Sequence, residues 1–72
     1  MFKNMKIEVN EQQPIDEIMG VIRDKGYRVG EYYNEAPTHI VTTKGGVYTM
    51  VNISEWYPIE YVLTTLAELK EM

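Results

Sequence analysis

The one imidazole in this chain is His39, which follows Pro37-Thr38 at the head of a β-rich run. An imidazole changes charge near neutral pH, so this position suits an acid, a base or a pH-sensitive contact. Catalysis by histidine calls for an orienting carboxylate or a nucleophile beside it, and along the chain only Glu35 is close. His39 is therefore expected on a strand surface opposite Asn52. A ribonuclease-type reaction is the chemistry it would carry if catalytic. Of the eleven carboxylates, Asp16, Glu17 and Asp24 lie on the outer side of one amphipathic stretch, and Glu60, Glu68 and Glu71 on another. First-turn acids suit the helix dipole, and no EF-hand spacing brings the rest together on a cation, so they are expected to be solvated. Lys44-Gly45-Gly46 lacks the GxxxxGK[ST] frame of a phosphate-binding loop and reads as a turn. With no cysteine and a single histidine, no metal site, cofactor or catalytic set is expected, and the chain is expected to be non-enzymatic.

Size and charge narrow the choice further. Seventy-two residues make one small α+β domain at most. A chain this short buries only about 60–65% of its unfolded surface, which leaves it marginally stable as a monomer. Small scaffolds gain support from disulfides, metals or partner chains, and the first two lack ligands here, so a homodimer is expected. Eleven acids against seven Lys and Arg give a net charge of −4, which disfavours nucleic acid as a partner. No apolar run approaches a membrane span, and the first residues show no signal-peptide core, so a cytoplasmic location is the default expectation.

The elements that must position these residues follow from periodicity. Met5, Ile7 and Val9 alternate with polar residues, as in a strand with one buried face. Gln12-Gln13-Pro14 breaks the pattern. Ile15, Ile18, Met19 and Ile22 then form one helical stripe, with Asp16 and Glu17 in the first turn and Gly26 placed to cap the end. Residues 27–33 read as a second strand, in which Gly30 signals a bulge or a close backbone approach. Residues 38–43 and 47–53 are two β-rich runs around the Gly-Gly turn. Trp56 is expected to staple the start of a last helix near Pro58, whose stripe is Ile59, Val62, Leu63, Leu66 and Leu69. The predicted order is β-α-β-β-β-α, with both helices on one face of a small, mainly antiparallel sheet. Its second to fourth strands are expected to run as an antiparallel meander, with the place of the first left open.

The hairpin carries the functional expectation. With a two-residue Gly45-Gly46 loop, Ile40 opposes Val51 and Thr42 opposes Thr49 on the helix side, while Val41 opposes Met50 and Thr43 opposes Tyr48 on the other. A three-residue loop with a bulge shifts this register by one. In the two-residue register the face away from the helices shows Val41, Tyr48 and Met50, with Tyr32 and Tyr33 beside them. Tyr61 adds an outward contact on the last helix. Large aromatics bury much area at low entropic cost, so these six residues are the expected partner-binding set, either for a second copy or for another protein.

Residues 14–72 resemble double-stranded-RNA-binding domains, and small toxins of the same topology, in the order of their elements. That resemblance implies a nucleic-acid-binding module as the alternative function. Where those domains carry phosphate-gripping lysines, this chain has Pro58-Ile59-Glu60-Tyr61. In composition the chain is similar to small accessory proteins of bacteria, phages and prophages. The expectation is a self-associating protein–protein interaction module.

Overall fold

Met5–Glu8 (β1), Ile15–Asp24 (α1), Arg28–Tyr33 (β2), His39–Thr42 (β3), Val47–Val51 (β4), Val62–Leu63 (β5) and Leu66–Glu71 (α2) succeed one another in a computed structural model of the chain. The structure describes residues 2–33, 35–52 and 61–72, with the side chains of residues 31–33 outside that description. The expected roles of Ile53, Trp56, Pro58, Ile59 and Glu60 lie outside the described residues.

Helix α1 forms where the local signals place it. Pro14 is its N-cap, Asp16 and Glu17 occupy the first turn, and Ile18 and Ile22 are buried. Its end is a complete Schellman motif. Gly26 adopts φ +95° and donates to Arg23 O at 2.9 Å, while Tyr27 N reaches Ile22 O at 3.3 Å. Tyr27 and Ile22 both enter the core, supplying the apolar contact that accompanies this cap.

The sheet is mixed and runs β2-β4-β3-β1-β5. Only β3 is antiparallel to its neighbours; β2 lies parallel to β4, and β5 parallel to β1. The expected meander is corrected here: β2 does not pair with β3 but lies at the far edge beyond β4. Parallel strands need a long crossover, and α1 supplies it by carrying the chain from β1 past β3 and β4. The antiparallel order that the resemblance to RNA-binding domains implies is not formed.

The helices share one face of this sheet, the face of Met5, Ile7, Ile40, Tyr48 and Met50, into which Ile18, Ile22, Leu66 and Leu69 pack. Lys70 and Glu17 bridge α2 and α1 at 3.0 Å. Residues 62 and 63, expected in the last helix, instead pair with Met5 and Lys6 as an edge strand. Helix α2 begins only after Thr65, whose hydroxyl accepts from Glu68 N at 3.1 Å while Thr65 N donates to Glu68 Oε1 at 2.9 Å. This capping box is the T-x-x-E signal at residues 65–68, and it outweighs the longer apolar periodicity that precedes it. Gln13 ties the new start down: its Oε1 accepts from Leu66 N at 2.7 Å and its Nε2 donates to Glu8 O at 2.8 Å.

Candidate functional site

The hairpin takes the shifted register. His39 pairs with Val51, Ile40 with Met50, Val41 with Thr49 and Thr42 with Tyr48. A turn closes from Gly46 N to Thr43 O at 3.0 Å, and Gly46 adopts φ +82°, so Lys44-Gly45-Gly46 is a three-residue loop ending in a glycine bulge. Gly46 is needed on a second count. A Cβ there would stand 2.7 Å from the Phe2 ring, which lies over the turn and packs edge-on against Tyr27 at 4.7 Å.

A one-residue slip turns a whole strand over. It carries Tyr48 and Met50 under the helices and leaves Val41 on the other face beside Thr49. Tyr48 is 1% exposed, Val41 1% and Met50 8%. The expectation that these three form an open contact surface is therefore corrected. The tyrosine is satisfied inside the fold, since Arg23 Nε donates to its hydroxyl at 2.8 Å and the guanidinium lies 6.0 Å from its ring centroid. A buried phenol needs such a partner, and the helix provides it. Val41 and Val51 stand outside the helix-packed cluster yet are covered by atoms of this one chain. With these side chains enclosed, the sheet face no longer calls for a partner. Tyr61 is half-buried just before β5, and the side chains of Tyr32 and Tyr33 are outside the described residues.

His39 is half-buried on the face away from the helices, across from Glu8 of β1. Thr38 Oγ1 sits 2.9 Å from its Nδ1. Burial holds its pKa below the ordinary 6.5, opposed by the charge of Glu8 and assisted by that of Lys6. Its strand partner is Val51 instead of the expected Asn52, which donates to Ala36 O at 3.1 Å. The carboxylate whose charge acts on the ring is thus Glu8, which sequence distance hides and the β1–β3 pairing reveals. Its Oε1 already accepts from Asn10 Nδ2 at 3.3 Å. Among the described residues no three His, Asp or Glu side chains gather as metal ligands, and no helix is long and apolar enough to cross a membrane.

Exposed apolar surface collects elsewhere, at the open edge of β5. Val62 and Leu63 are 67% and 61% exposed, and Phe2 and Met72 are exposed nearby. Val62, Phe2 and Met72 line one open groove of about 950 Å³ together with Lys3 and Lys44, and none of its described lining residues is acidic. Leu63 borders a smaller groove on the other side with Glu8 and Gln13. Val62 N donates to Asn4 O at 3.3 Å and Thr64 N to Lys6 O at 2.9 Å, so both amides point into the sheet. Leu63, between them, aims its own N–H and C=O outward, where no described residue pairs with them. Sequence reasoning missed this edge because it assigned Val62 and Leu63 to the buried stripe of a helix.

No protein-family model matches the chain, and comparison with curated proteins and with solved structures gives no significant match.

Proposed function

We propose that this chain is a non-enzymatic interaction module that self-associates, and that its contact runs along the β5 edge. The observation that carries this reading is the gathering of Phe2, Val62, Leu63 and Met72, four of the five exposed large hydrophobic residues among those described, around one edge strand. An edge strand with no charge of its own is a template for pairing with another chain. Nothing in β5 blunts it, because Val62 and Leu63 supply neither a lysine nor a proline nor a bulge. Burying two such side chains stabilises a contact by about 1.5–3 kcal/mol each before the costs of association. The far edge, at β2, carries an exposed apolar residue in Val29 but also the charge of Arg28 beside it, and so is the less suited of the two.

Light scattering coupled to size exclusion tests the reading. Wild type is expected at twice the 8.4 kDa chain mass, and the double variant Val62→Glu, Leu63→Lys at the mass of one chain. Wild type that stays monomeric at high micromolar concentration, or a double variant that still assembles, would overturn it.

A further inference from the structure

We infer that the occupant of the β5 edge is the β5 strand of a second copy, paired antiparallel about a twofold axis at Leu63. This rests on the interaction-module reading and specifies its geometry. Within β5 only Leu63 presents both N–H and C=O outward. In an antiparallel pair, a residue that exchanges both bonds with its opposite must face a residue oriented the same way. Leu63 opposite Leu63 of the other copy meets that condition by symmetry, and a closed twofold contact needs no further surface to be satisfied.

The charges around the strand fit the same arrangement. Lys3 and Lys44 line the groove beside Val62, at the start of β5. Lys44 is held there by its amide, which donates to Asn4 Oδ1 at 2.9 Å. At the other end of β5 the chain turns into α2 through Thr65, and Glu68 is fixed on Thr65 by the capping box. Lys70 reaches α1 through Glu17, so Glu68, on the opposite flank of α2, faces away from that contact; Met72, whose carbonyl accepts from Lys25 Nζ at 2.8 Å at the end of α1, lines the edge groove. Antiparallel pairing sets the start of one β5 against the end of the other. The lysine-lined groove of each copy then faces the Glu68 end of its partner, twice over. A parallel arrangement would bring lysines against lysines. In a chain of net charge −4, this groove is a local cationic surface that an acidic second copy complements.

The chain contains no cysteine, so a single introduced thiol reports on one place only. Hydrogen-bonded antiparallel partners lie about 5.5 Å apart at Cα, inside the range of about 4.4–6.8 Å that a disulfide spans. Under mild oxidation Leu63→Cys is expected to give a covalent dimer nearly completely, and Val29→Cys on the far edge is expected to remain unlinked. Lys44→Glu is expected to weaken association about threefold or more at low salt. A wild-type dimer in which Leu63→Cys does not cross-link, or one whose Val29→Cys variant links instead, overturns this geometry while leaving self-association standing. A dimer constant unmoved by Lys44→Glu overturns it too. Monomeric wild type defeats both readings. Circular dichroism of each reduced variant, expected to match wild type at these exposed positions, separates lost pairing from lost folding.

Discussion

Gly30 is the position where the structure makes its sharpest quantitative demand. It sits in β2 beside β4, at the irregular stretch of register between Val29 and Tyr33. A Cβ built there meets Thr49 Cγ2 at 2.5 Å and Val47 Cγ1 at 2.8 Å, with Tyr48 O at 3.3 Å behind them. Reaching ordinary contact requires the Thr49 methyl to withdraw by roughly 0.9 Å. Both obstructing side chains are β-branched and stiff at χ1, so neither swings aside cheaply. Two effects oppose each other in Gly30→Ala. Loss of glycine freedom in the unfolded chain favours alanine by about 0.4–1 kcal/mol, while overpacking of this kind costs about 1–3 kcal/mol. The clash wins, and a net loss of about 1–2 kcal/mol is expected. At this chain length each kcal/mol lowers Tm by about 4–8 °C. Urea unfolding followed by circular dichroism measures the loss, and a double-mutant cycle with Thr49→Ala locates it. The pair is expected to couple favourably by about 1 kcal/mol, because removing the methyl removes the nearest obstruction. If Gly30→Ala matches or exceeds wild-type stability, or if the cycle shows no coupling, the close β2–β4 approach is refuted.

Two further outcomes are expected. Thr42 is fully buried, donates to Lys3 O at 2.7 Å and accepts from Met5 N at 3.1 Å, so Thr42→Val should cost about 1–3 kcal/mol by leaving both backbone groups without that partner. A Thr42→Val protein as stable as wild type in urea would show that the hydroxyl does not anchor β1. His39 has a folded pKa below 6.5, so the unfolded chain binds its proton more readily, and stability present above pH 6.5 should fall as pH drops through that value. The slope should be shallow, since the ring is only half-buried, and His39→Gln should flatten it above about pH 5, where carboxylates begin to titrate. A wild-type profile that is flat from pH 7 to about 5.5, or one that rises as pH falls, contradicts the sign.

The candidate site was the least legible part of the sequence. Tyr48 and Met50 alternate with Val47, Thr49 and Val51 in a run whose two faces are both apolar, so composition does not say which face turns inward. The turn decides it. Gly45 and Gly46 allow either a two-residue loop or a three-residue loop with a glycine bulge, and the difference reverses the whole strand. The longer loop is the one over which the Phe2 ring fits and which brings the Tyr48 hydroxyl to Arg23. Both partners are distant in the chain, and no local pattern announces them.

By itself the sequence determined the elements whose signals are local. Helix α1 carries its cap, its dipole-matched acids, its stripe and its glycine stop within thirteen residues, all agreeing. The β-rich runs and the presence of a turn between β3 and β4 are equally local signals, whereas the length of that turn, and the choice between a bulge and a close approach at Gly30, are not. Tertiary structure alone decided the strand order, the parallel pairing of β2 with β4, and the fate of residues 62 and 63. Those two have helical spacing with Leu66 and Leu69, yet β1 offers them backbone partners and the Thr65–Glu68 box starts the helix later. Local propensity differs between such alternatives by tenths of a kcal/mol per residue, whereas an unpaired backbone group costs whole ones when buried. Where the two conflict, the pairing that satisfies the backbone prevails.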